Sequence, residues 1–128
     1  ALAACEKPTV GFLDVKNAAF TPDTLEIRTV LDPKKDANRE KNQAPWVSGA
    51  IQSVLGTDPK VYEFVSVTST AGEEAASLFA SELKVYGNSR MEVPLQPAAP
   101  KGSYRITLKV RNEGYSALLP DIFTFIIK

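Results

Sequence analysis

The chain contains no histidine and one cysteine. Without histidine it lacks the commonest general base and the commonest metal ligand near neutral pH. A lone cysteine cannot close an internal disulfide, so no disulfide framework is expected to hold the fold. A zinc site would have to rely on carboxylates, an uncommon donor set. An excess of one charge is also missing. Fifteen Lys and Arg balance 15 Asp and Glu, for a net charge of zero. Nucleic-acid binders usually show a basic excess or stripe, so nucleic acid is not an expected partner, and long-range steering of a charged partner is weak. No apolar run approaches the roughly 20 residues that cross a bilayer as a helix. Glycine-rich phosphate loops and dinucleotide fingerprints are absent, as is any repeat of solenoid or propeller length. Carboxylate-pair hydrolysis stays formally open, but no acidic pair sits in a stretch that reads as a cleft, and each carboxylate is expected on a solvated face. The chain is therefore not expected to be an enzyme, and no cofactor or metal is expected.

What remains is ordinary globular material. The chain has 128 residues, 44% hydrophobic and 23% charged, enough for one domain that buries about two thirds of its unfolded surface. Period-two alternation dominates. The clearest case is Ser103 to Asn112, where Tyr104, Ile106, Leu108 and Val110 face one way and Arg105, Thr107, Lys109 and Arg111 the other. That is a half-buried antiparallel strand with one wet face. Val61 to Thr68 is rich in β-branched and aromatic residues, the composition of a strand. Leu25 to Leu31 alternates through Leu25, Ile27 and Thr29 and breaks at Val30. Thr9 to Val15 is a further strand, with Val10, Phe12 and Leu13 expected inward. Pro45 to Leu55 fits a strand pair or a bulged strand, and Ile122 to Ile127 is apolar on both faces, as in a central strand.

Turn chemistry separates these runs. Thr21-Pro22-Asp23, Gly56-Thr57-Asp58-Pro59 and Asn112-Glu113-Gly114 are turns. Val85-Tyr86-Gly87-Asn88 leading to Met91-Glu92-Val93 reads as a hairpin. Pro94 to Gly102 carries three prolines and reads as an extended connector. Asp32 to Asn42 is the most polar stretch and is expected to be an exposed loop with at most a short helical turn. Glu73 to Leu83 is the one helix candidate, with acids in its first turn and Ala76, Phe79, Ala80 and Leu83 at helical spacing. Many short strands and almost no helix imply an all-β sandwich or barrel.

Two resemblances sharpen this. Leu2-Ala3-Ala4-Cys5 resembles the bacterial lipobox. The resemblance implies that Cys5 becomes the lipidated first residue of the mature protein, with residues 1–8 as signal-peptide stub, lipobox and tether. An acylated Cys5 would hold the domain at a membrane without a spanning helix. From Gly56 to Lys128 the chain resembles a bacterial immunoglobulin-like or cadherin-like surface domain. The residues that carry this are Gly56-Thr57-Asp58-Pro59 before Val61-Tyr62-Glu63-Phe64, Leu78-Phe79 ahead of Tyr86-Gly87-Asn88, Gly102-Ser103-Tyr104 through Val110, and Asp121-Ile122-Phe123-Thr124-Phe125-Ile126. This implies an all-β, immunoglobulin-like antiparallel β-sandwich of about seven strands, with at most one short helix, over residues 9–128. Together with the lipobox, the style resembles surface lipoproteins of Bacteroidetes, many of which capture glycans or adhere. The acidic Asp-x-Asn-Asp-Asn motif that binds calcium in cadherin repeats is absent. Asp32 with Asp36, and Glu73 with Glu74, are the acidic groupings worth naming, and Lys34 and Lys35 oppose a cation.

Two aromatics are the candidate ligand-binding residues. Trp46, the only tryptophan, is either an exposed plate for the apolar face of a pyranose or, as tryptophan's average burial favours, a core residue. Tyr115 follows a turn and is expected at a loop tip, where exposed tyrosine often meets partners. Tyr104 is expected in the core or as a corner tyrosine bonded to backbone. The basic row on the wet face could meet an anionic polysaccharide, although solubility and edge protection explain it as well. The expected function is a non-catalytic, monomeric surface lipoprotein domain for adhesion or protein interaction, lipid-anchored in the outer membrane. A glycan-binding protein using Trp46 and Tyr115 is the alternative, and a structural spacer the third.

Overall fold

A computed structural model describes residues 11–128. Cys5, Val10 and the expected boundary at residues 1–8 lie outside the described residues. The described chain forms nine strands and two helices: β1 Leu13–Asp14, β2 Thr24–Ile27, α1 Ala37–Asn42, β3 Trp46–Val47, β4 Leu55–Gly56, β5 Val61–Ser69, α2 Glu73–Glu82, β6 Lys84–Val85, β7 Met91–Val93, β8 Gly102–Asn112 and β9 Tyr115–Ile127. The fold is largely β. A four-stranded sheet runs β2-β9-β8-β5, a three-stranded sheet β3-β7-β6, and β1 pairs with β4 alone. No helix among the described residues is long and apolar enough to cross a membrane.

The β8–β9 hairpin is the spine. Inward positions Tyr104, Ile106, Leu108 and Val110 of β8 are fully buried, and Leu119, Phe123, Phe125 and Ile127 of β9 join them. Burying each such side chain is worth about 1.5–3 kcal/mol. The register slips between Ile106 and Leu108. Pro120 has no N–H for the ladder, and Asp121, at φ 47°, donates its N–H to Thr107 Oγ1 instead. Between the partners of Ile106 and Leu108, β9 carries two extra residues, an even number that keeps Leu119 and Phe123 on the core face. At the hairpin tip, Gly114 at φ +97° makes the turn between Asn112 and Tyr115, a conformation only glycine adopts without strain.

One core takes side chains from both larger sheets: Trp46, Met91 and Val93 from one, Ile27, Tyr62 and the β8–β9 face from the other. Helix α2 closes it with Ala75 and Phe79. Phe79 stacks on Tyr104 at 4.4 Å and tilts against Phe125 at 5.4 Å. The Tyr104 hydroxyl donates to the Pro100 carbonyl, so Tyr104 is both a core ring and a corner tether.

Several expectations need correction. The four-stranded sheet is mixed rather than purely antiparallel, because β2 runs parallel to β9. Alternation of Leu25 and Ile27 orients a face but carries no information about strand direction. Two helices form where at most one was expected, and the second, α1, lies in the polar Asp32 to Asn42 stretch. None of its residues is buried, and its anchor is the preceding Asp36. Phe12 points outward, because β1 pairs Leu13 with Gly56 and it is Leu13 that packs against the core. Tyr115 is not at a loop tip but opens β9.

Phe79→Ala should lower unfolding stability by about 3–5 kcal/mol, and Tyr104→Phe by about 1 kcal/mol, the net worth of one hydrogen bond. Chemical denaturation measures both.

Candidate functional site

Trp46 is not an exposed plate. It is 2% exposed, and its indole N–H donates to Leu95 O at 3.0 Å. The Arg39 guanidinium lies over the ring at 4.1 Å and that of Arg28 at 5.2 Å. Of the two readings of Trp46, the buried one is what the structure has. Two guanidiniums cap the ring, and its N–H is already spent on a carbonyl.

Those arginines are balanced by Asp36, 1% exposed. Arg28 grips the carboxylate through Nε at 2.8 Å and through Nη2. The Asp32 N–H donates to Asp36 Oδ2 at 2.8 Å, and Arg39 Nε stands 4.0 Å from Oδ1. The Arg28 hydrogen bonds, then the Asp32 N–H, hold this carboxyl well below the usual carboxylate range. Asp36 thus departs from the solvated position expected of every acid. It ties the segment after β2 to α1 and to the Trp46 face. Its oxygens are committed, as is Asp32 Oδ1, which accepts the Lys34 and Lys35 N–H groups. Among the described residues no three His, Cys, Asp or Glu side chains converge as a metal site.

Tyr115 sits in a different surrounding. It is 46% exposed, and its Cε2 lies 3.7 Å from the position a Cβ on Gly11 would take. The Asn112 amide donates to Phe12 O at 2.8 Å and Thr57 O at 3.1 Å. Phe12 and Thr57 bond each other reciprocally: Thr57 N–H to Phe12 O, and Phe12 N–H to Thr57 Oγ1, both at 3.0 Å. This clamp locks the β1 and β4 ends onto the hairpin tip. Gly56 permits the close approach, since a Cβ there would meet Phe12 O at 2.7 Å. Leu55 is opposite Asp14, so Leu55 and Phe12, two residues before Asp14, share one face of the small ladder. Both are 54% exposed. Phe12 and Leu55 are therefore exposed together on one face of this ladder, and the half-exposed Tyr115 lies beside Gly11 at the same end, on a backbone held by Asn112. Of these, sequence reasoning singled out only Tyr115. A two-residue strand has too little alternation to reveal which of Phe12 and Leu13 turns inward.

The basic row alternates outward as its spacing predicts, but it is not one continuous patch. Arg111 pairs with Glu63 at 3.2 Å, Glu63 stands opposite Lys109, and Thr107 is bonded to the Asp121 backbone. Arg105 lies apart, in an open depression of about 530 Å³ lined by Thr68, Ser69, Thr70, Ser103, Thr124 and Ile126. Cys5 lies outside the described residues. Comparisons with protein-family models, with curated proteins and with solved structures find no match to this chain.

Because Asp36 has a lower carboxyl pKa folded than unfolded, its ion pairs contribute stability that is whole above about pH 4. That contribution is lost as pH falls toward the folded-state value. Asp36→Asn should lower the melting midpoint at pH 7 and flatten the acid side of the stability curve. An acid side as steep as that of the unsubstituted protein would remove Asp36 from this role.

Proposed function

We propose that this chain is a non-catalytic, immunoglobulin-like domain, tethered at the bacterial outer membrane through an acylated Cys5, that binds a protein partner with the apolar end formed by Phe12, Leu55 and Tyr115. Strand order supports the immunoglobulin-like sandwich. In that architecture strands B, E and D share one sheet and C, F and G the other. Here β3-β7-β6 and β5-β8-β9 take those places, with β2 parallel beside the last strand. Seven of the nine strands lie in these two sheets. Tyr104, near the start of β8 and bonded to the carbonyl four residues upstream, occupies the corner-tyrosine position. Helix α2 between β5 and β6 departs from the pattern, as do the missing inter-sheet disulfide and a tryptophan on β3 rather than on β5.

The observation that carries the binding role is the exposure of three large apolar side chains on a clamped backbone. Grouped exposed apolar residues mark interaction surfaces, and aromatic side chains on ordered backbone make strong anchors because little conformational freedom is lost on binding. The adhesion reading follows from such an anchor on a tethered domain. The glycan alternative loses its Trp46 platform. What favours it now is the separate Arg105 depression.

The test is proximity cross-linking on intact producing cells, followed by direct binding to the captured surface protein. Converting Phe12, Leu55 and Tyr115 together to Ser should weaken that binding by about tenfold or more with an unchanged melting midpoint. Equal binding by the variant removes the proposed surface. Metabolic labelling with a clickable fatty acid tests the tether, and an unlabelled Cys5 rejects it.

A further inference from the structure

We infer that the outer face of the four-stranded sheet carries a second site, centred on Arg105, for a saccharide bearing a single-charge acidic group, either a uronate carboxylate or a sulfate ester. The register builds it. Thr68, Arg105 and Thr124 lie in one row across β5, β8 and β9, and Ser103 opposite Ile126 belongs to the next. Thr70 extends that second row, since its N–H donates to Ser103 O at 3.1 Å. Residues two apart on a strand share a face, so six side chains from the two rows stand side by side. Four are Ser or Thr, whose short side chains beside Arg105 and Ile126 leave the depression of about 530 Å³.

The chemistry of the lining is specific. Of the five arginines in the chain, Arg28, Arg39 and Arg111 face carboxylates and Arg90 donates to the Ser48 carbonyl. Among the described residues Arg105 alone has no such partner. Its planar fork is free to hold a carboxylate or sulfate through two parallel N–H···O bonds. Around it the Thr68, Ser103 and Thr124 hydroxyls also have no partner among the described residues. Thr70 Oγ1 accepts the Ser103 N–H at 2.9 Å and keeps its own O–H to donate. Hydroxyls that both donate and accept suit ring hydroxyls, and the Ile126 side chain offers an apolar surface to a sugar face. One guanidinium matches one negative charge. A polyphosphate backbone would need several cations, and the neighbouring Lys128 is paired with Glu26 at 2.8 Å. The depression is open, which suits an internal residue of a polymer rather than an enclosed small molecule.

Affinity electrophoresis of the full chain through gels containing polygalacturonate, dextran sulfate or neutral dextran tests this, followed by calorimetry on the polymer that retards it. Retardation by an acidic polymer and not by neutral dextran is expected, and which acidic polymer acts identifies carboxylate or sulfate. Arg105→Ala should weaken binding by about tenfold or more, as loss of a charged hydrogen-bonded pair implies. Arg105→Lys should stay weak, because it keeps the charge and loses the fork. Thr124→Val should weaken binding at constant charge, and Arg111→Ala should leave it unchanged. No retardation by either acidic polymer overturns the site. So does Arg105→Ala binding as well as the unsubstituted chain, or Arg105→Lys restoring full binding, which would reduce the contact to bulk charge.

Discussion

The inward face of β8, with Tyr104, Ile106, Leu108 and Val110 all fully buried, is what the rest of the molecule is arranged around. It is central in its sheet, with β9 on one side and β5 on the other. The three-stranded sheet and α2 both reach the core it anchors. Because side chains alternate along a strand, burying this face also fixes what the opposite face shows. Arg105, Thr107, Lys109 and Arg111 face outward as the necessary counterpart of a packed interior. The outer face is therefore positioned by the core and is not free to drift in register.

A second anchor works where hydrophobic burial cannot. The stretch from Asp32 to Asn42 has little apolar surface to contribute, and α1 buries none of its residues. It is held by one carboxylate. Asp36 gathers Arg28, the Asp32 N–H and the edge of Arg39, and the two arginines then lie on Trp46. A buried charge is tolerable only when paired and hydrogen-bonded, and here every oxygen of Asp36 has a donor. The same pairing explains why Trp46 is unavailable as a surface platform.

The two proposed surfaces differ in the physics that would drive binding. The end formed by Phe12, Leu55 and Tyr115 offers apolar area on a backbone clamped by Asn112, so association there would release water with little ordering cost. The Arg105 depression offers directional hydrogen bonds and one charge, and its binding should weaken with added salt. They lie at different places on the fold, one at the β8–β9 tip and one on the outer face of the sheet toward the other end of the same strands, so either could be occupied without the other.

Alternation and turn chemistry by themselves determined the long elements: β5, β8, the second half of β9, the Tyr86-Gly87-Asn88 hairpin and α2 with its buried Phe79. Each has enough residues for its period to be read, and the wet-face row of β8 followed with them. Tertiary structure decided what short or polar segments do. Leu13–Asp14 is too brief to say which side chain turns in. The direction of β2 leaves no mark on its pattern. Helix α1 is held in place because Arg28, just after β2, grips the Asp36 carboxylate that precedes it. That Arg105 has no carboxylate or carbonyl partner among the described residues is also a tertiary fact. Sequence sets which charges exist, but only the folded register shows which of them have already found a partner.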